Sequence, residues 1–83
     1  MKRMAIMKRV GFGVRDTNRC CLFFDAYEPE GLVSLQIVPA EKAIEVLEKH
    51  YVHDVKHLEG KPCWVESDEH SGTSRFIDLV KLP

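Results

Sequence analysis

The sequence predicts an α+β domain in which one amphipathic helix packs on an antiparallel sheet of about five strands, in the order β-β-β-α-β-β. Three observations carry this. Several short runs alternate apolar and polar residues with a period of two. One run, from Pro39 to Tyr51, repeats its apolar residues at helical spacing instead. Residues that favour turns separate consecutive runs closely enough for hairpins.

The first alternating run begins at Arg9, with Val10, Phe12 and Val14 on one side and Arg9, Gly11, Gly13 and Arg15 on the other. Asp16-Thr17-Asn18 supplies turn chemistry, and a second strand returns from Arg19 to about Tyr27. It is apolar on both sides: Cys20, Leu22, Phe24 and Ala26 on one, Cys21, Phe23 and Tyr27 beside Asp25 on the other. After the turn Glu28-Pro29-Glu30-Gly31, a third strand spans Leu32 to Val38. Its apolar Val33, Leu35 and Ile37 are expected inward, and Ser34 and Gln36 outward.

Pro39 opens the helix, where a proline forfeits no hydrogen bond. Ala40, Ala43, Ile44, Leu47 and Tyr51 form its expected buried stripe, and Glu45 precedes Lys49 at a favourable i, i+4 spacing. His53 to Lys61 reads as a connector with a short helical turn closed by Gly60. A fourth strand follows over Pro62 to Ser67, then a polar turn around Gly72, then a fifth strand from Arg75 to Leu82.

The chain has 83 residues, enough for one domain. The organisation expected is a flexible basic arm or extension over 1–8, which contains Met1, Met4 and Met7, and a single domain over 9–83. Net charge is −1, but it is divided unevenly: residues 1–19 sum to +5 and the remainder to −6. Three cysteines, two of them adjacent, do not make a disulfide framework and fit reduced thiols in a cytoplasm. No run approaches the ~20 apolar residues of a membrane span.

The run Val52-His53-Asp54-Val55-Lys56-His57-Leu58-Glu59-Gly60-Lys61-Pro62-Cys63-Trp64-Val65-Glu66 follows a pattern V-x-D-V-x-x-L-x-G-K-P-C-x-V-E after a helix. It resembles a segment of small, largely uncharacterised bacteriophage and prophage proteins. The turn from Gly13 to Arg19 and the stretch Ser34 to Ile37 sit in similar places. The resemblance implies an origin rather than an activity, since its motif is a turn and a strand.

Catalytic chemistry finds no constellation, and no cofactor is expected. His50, His53, His57 and Cys63 have a spacing compatible with zinc only if the helix runs on through His57, and no C-x-x-C accompanies them. Metal binding is therefore not expected. Cys63 falls on a core-facing strand position, and Cys21 is the more exposed thiol in this reading. Gly11-Phe12-Gly13 lies inside a strand and is no phosphate loop; glycines there permit a bulge or a close approach.

One helix covers one face of a sheet, yet the other face carries Phe23, Tyr27, Trp64, Glu66, Phe76 and Asp78. These are the protein-binding candidates. The expected function is a non-enzymatic phage-type interaction module in the cytoplasm. Its specific form is an anti-defence, anti-CRISPR-like inhibitor whose acidic residues occupy a cationic groove on a host nucleoprotein complex. The partner classes are a host protein or complex and a second copy of the chain, with no membrane. The alternative is a nucleic-acid-binding accessory protein using Lys8, Arg9, Arg15 and Arg19 with aromatic platforms.

Overall fold

A computed structural model describes residues 2–15, 18–68 and 73–81. The strands are β1 (Lys2–Val14), β2 (Cys20–Tyr27), β3 (Val33–Pro39), β4 (Pro62–Asp68) and β5 (Thr73–Leu79). One helix, α1 (Ala40–Lys49), and a 3-10 turn (Val55–Leu58) join β3 to β4. The strands form one antiparallel sheet in the order β3-β2-β1-β4-β5. The α+β class and the element order are as the sequence predicts.

The flexible basic arm does not exist as such. Residues 2–8 belong to the central strand, whose first half pairs with β4 and whose second half pairs with β2. Ala5 and Met7 are fully buried, so the apolar residues hidden among Lys2, Arg3 and Lys8 are core. Arg9 and Val10 together oppose Phe24, forming a bulge in which Arg9 takes φ 55°. The bulge switches parity: Ala5 and Met7 before it and Phe12 and Val14 after it share a face, which a continuous alternation cannot show.

The Glu59 carboxylate clamps this bulge, accepting from the N–H of Val10 (3.0 Å) and of Arg9 (3.1 Å). The Val10 and then the Arg9 N–H hold its pKa below the usual range. Gly60, at φ 81°, donates to the Met7 carbonyl (2.7 Å), and the Met7 N–H donates to the Lys61 carbonyl (2.9 Å). The connector is thus an anchor for the centre of the sheet. Its 3-10 turn starts at Asp54, whose side chain accepts from the Lys56 N–H, and it buries Leu58.

The core lies between α1 and the inner face, built from Met7, Leu22, Phe24, Ala26, Cys63, Val65, Phe76 and Leu79. The helix contributes Ala43 and Val46, with Leu47 packed at the margin. Ile44 and Tyr51, expected in the stripe, are exposed. The true stripe is rotated because α1 lies across β2 and β3 and directs Ala43, Val46 and Leu47 at them.

The faces of β3 are the reverse of the expectation. Register pairs Phe24 with Gln36 and Leu22 with Val38, so Ser34, Gln36 and Val38 share the inner face with the core. Val33, Leu35 and Ile37 point outward. The sheet curls until β3 and β5 meet, and Gln36 joins them. Its Nε2 donates to the Ser74 carbonyl (3.1 Å) and to Ser34 Oγ (2.9 Å), and its Oε1 accepts from the Phe76 N–H (2.8 Å). At 4% exposure this amide is buried and satisfied, which a Leu here would not be able to imitate. The turn residues Asp16, Thr17 and Gly72, and the expected strand end at Leu82, lie outside the described residues.

Candidate functional site

The outer face of β3, β2, β1 and β4 is not covered by the helix. Cross-strand register places Tyr27 beside Ile6 and Val33, Phe23 beside Gly11 and Ile37, and Trp64 beside Met4. Val33 (51%), Leu35 (52%) and Ile37 (48%) are half exposed, and Met4 and Tyr27 nearly so. They form an apolar surface that reaches across four strands and is interrupted by Lys8 and Asp25, which is more than scattered single residues.

Two of the three rings on this face are held by a neighbour. The Phe23 ring lies on Gly11, where an added Cβ would stand 2.5 Å from it, so only glycine admits this packing. The Arg15 guanidinium covers the ring from 4.6 Å. Lys2 Nζ stands over the Trp64 ring at 4.9 Å. Phe23 and Trp64 are thus pre-ordered, half-buried supports, while Tyr27 and the β3 row present the free area.

Of the six protein-binding candidates, Phe23, Tyr27, Trp64 and Glu66 share this face. Phe76 does not: it is a core residue whose ring meets Phe24 edge-on at 5.5 Å. The reason is a bulge, because Trp64 pairs with Asp78 and Val65 with Phe76, leaving Ile77 extra and reversing the alternation of β5. Asp78 is tied to the end of α1, where Lys49 Nζ (2.6 Å) and His50 Nε2 (2.9 Å) meet its two oxygens. Burial pushes the Asp78 carboxyl up, but the hydrogen bonds from Lys49, His50 and the Leu79 N–H together hold it below its usual value. Sequence reading missed Val33, Leu35 and Ile37, since an apolar side of a strand is ordinarily the inner one.

The basic candidates are dispersed. Arg9 pairs with Asp25 (3.7 Å) and Lys8 lies opposite it, Arg15 covers Phe23, and Arg19 lines a groove beside Cys20 and the start of α1. Arg3 faces Glu28 and Glu30, each at 3.6 Å.

Cys20 is the exposed thiol and Cys21 is buried, the reverse of the sequence reading, because Cys21 sits against Pro39 at the end of β3. Cys63 is fully buried, and burial alone pushes its thiol up to about 12, so it stays protonated and unreactive. His50 is engaged by Asp78, while His53 and His57 are exposed on the connector. Among the described residues no group of three or more His, Cys, Asp or Glu is placed to hold a metal, and no helix is long and apolar enough to cross a membrane. Comparison with known proteins finds no family model, no curated protein and no solved structure that matches this chain.

Proposed function

We propose that this chain is a non-enzymatic protein-interaction module that docks its outer sheet face on an apolar, mixed-charge surface of another protein. One observation carries this reading: β3 turns its apolar side to solvent and buries its polar side. A strand folded only for stability would be arranged the other way, because each buried aliphatic side chain adds roughly 1.5–3 kcal/mol. Tyr27 supplies an amphipathic anchor beside the aliphatic row, and Trp64 a pre-ordered one. Lys2, Lys8, Glu30 and Glu66 give the surroundings both signs of charge.

The finer expectation, an anti-CRISPR-like inhibitor that competes for a cationic groove, calls for unpaired carboxylates. Asp25, Glu28 and Glu30 are engaged by Arg9 and Arg3, so apolar contact is the better-supported mode of docking. The test is affinity capture from a host lysate with the native chain, a Leu35→Ser/Ile37→Ser variant and a Leu32→Ser control in the turn. A partner identified by mass spectrometry that is lost only with the β3 variant supports the reading. Equal capture by all three, with a native chain that sediments as a monomer, sinks it.

A nucleic-acid reading rests on a different observation. The five strands curl until β3 and β5 meet, as in partly open OB-type barrels, which bind oligonucleotides across strands two and three and the first loop. Arg15, Arg19, Phe23 and Tyr27 occupy those places here. This is a fold analogy, and the Phe23 ring is already in contact with Gly11 and covered by Arg15. Fluorescence anisotropy with a single-stranded oligonucleotide at low and physiological salt separates the readings. Tight, steeply salt-dependent binding favours this second one.

A further inference from the structure

A separate feature lies where the end of α1 meets β4 and the end of β5. A cleft of about 300 Å³ is lined there by Lys49, Lys61 and Lys81 together with His50 and Tyr51. Val52, Pro62 and Leu79 give it an apolar side. The nearby carboxylate, Asp78, is already matched by Lys49 and His50. Among the described residues Lys61 and Lys81 make no ion pair. With three lysines and one aspartate the group sums to +2, within a segment of the chain that is acidic as a whole.

Tyr51 is the aromatic residue in the lining of this cleft. The Val52 N–H donates to the Leu47 carbonyl (2.9 Å) and the Tyr51 N–H to the Glu48 carbonyl (3.3 Å), which is the Schellman ending of a helix. That ending places Tyr51 at φ 54°, a position that favours glycine or asparagine. The residue is 86% exposed, so little packing offsets the conformation. The left-handed conformation is the ordinary one at this point of a Schellman ending. Here it keeps an aromatic ring beside a cationic cleft.

We infer that this cleft binds a small phosphate-bearing molecule with a planar body, of mononucleotide size. Lysines act on phosphate as point charges, and Lys61 and Lys81, which have no ion-pair partner among the described residues, supply the two charges that match a dianion, while Lys49 is held by Asp78. The Tyr51 ring offers the planar body a stacking surface, and Val52, Pro62 and Leu79 shield its edge from water. A volume of about 300 Å³ is at the small end of ligand pockets, which suits one phosphorylated nucleoside.

Isothermal titration of the native chain with AMP, inorganic phosphate and adenosine tests the inference. AMP should bind saturably and adenosine should not. Lys61→Ala/Lys81→Ala should weaken AMP by about tenfold or more. Tyr51→Gly, which suits the backbone, should leave the fold intact and weaken AMP by about tenfold while leaving inorganic phosphate unchanged. No saturable AMP binding up to about 10 mM overturns the inference, as does equal AMP affinity in the native chain and the double-lysine variant. Tighter binding of a single-stranded oligonucleotide than of AMP at this cleft also overturns it, because the ligand would then be a polymer.

Discussion

The two faces of the sheet are built from similar residues and do opposite things. On the inner face, Leu22, Phe24 and Ala26 of β2 meet Met7, Val65 and Leu79 beneath α1, and water is excluded. On the outer face, Tyr27, Val33, Leu35 and Ile37 are as apolar but remain about half exposed. The difference lies in cover. A ten-residue helix shields one face, while on the other only the side chains of Lys2 and Arg15 lie over single rings and no helix covers it. Apolar composition therefore says that a strand side favours burial, while topology decides whether the chain itself provides it.

Substitutions on the two faces should separate by size. Phe24→Ala removes a fully buried ring and its edge contact with Phe76, and should cost about 3–5 kcal/mol in urea unfolding. For a domain this small that approaches the whole margin of stability. A loss under about 1 kcal/mol would show that the inner face is not the core.

Within β3 the comparison becomes sharper, because the polar side should matter more for folding than the apolar one. Gln36→Ala leaves the Phe76 N–H and the Ser74 carbonyl without their partner and should cost about 1–3 kcal/mol. It should also speed amide exchange at Phe76. If Gln36→Ala is silent in both measurements, the β3–β5 closure is not held by this amide.

Acid should weaken the attachments of the connector and of the helix end. Glu59 and Asp78 have folded-state pKa values below their ordinary ones, so their contributions are complete above the ordinary carboxylate range. These contributions disappear as pH falls through the lowered values. Urea midpoints measured between about pH 5 and pH 2 should fall, and Glu59→Gln should flatten part of that slope. An unchanged slope would place the acid sensitivity elsewhere. Lys49 has the opposite sign: its hydrogen bond to Asp78 raises its pKa, so its contribution is present below the ordinary lysine value and is lost above the raised one.

The smallest effect on stability belongs to the outer face. Leu35→Ser/Ile37→Ser should change unfolding by only about 1 kcal/mol per site, since each side chain is about half exposed. A cost comparable to Phe24→Ala would mean that the row supports the fold and would remove the basis for docking.

Most of the architecture was legible because it rests on local patterns. Alternation in β2 gave the correct two faces, Pro39 marked the passage from β3 into α1, and Gly60 marked the end of the connector. Two of the errors share a cause, which is that a bulge cannot be seen in an alternation. One bulge at Arg9–Val10 hid the first half of β1 behind its charges, and another at Ile77 moved Phe76 from the expected binding face into the core. The make-up of the outer face was legible in part: Phe23, Tyr27, Trp64 and Glu66 were placed on it, while Val33, Leu35 and Ile37 were assigned to the interior.

By itself the sequence determined the number and order of strands, the single helix and the surplus of apolar side chains beyond what one helix can cover. Those follow from residue periodicity and turn chemistry, which act over a few neighbours. Tertiary structure alone decided which apolar residues are the surplus. Pairing Phe24 with Gln36 sets the facing of the whole of β3, because a pleated strand turned by one residue exchanges its two sides.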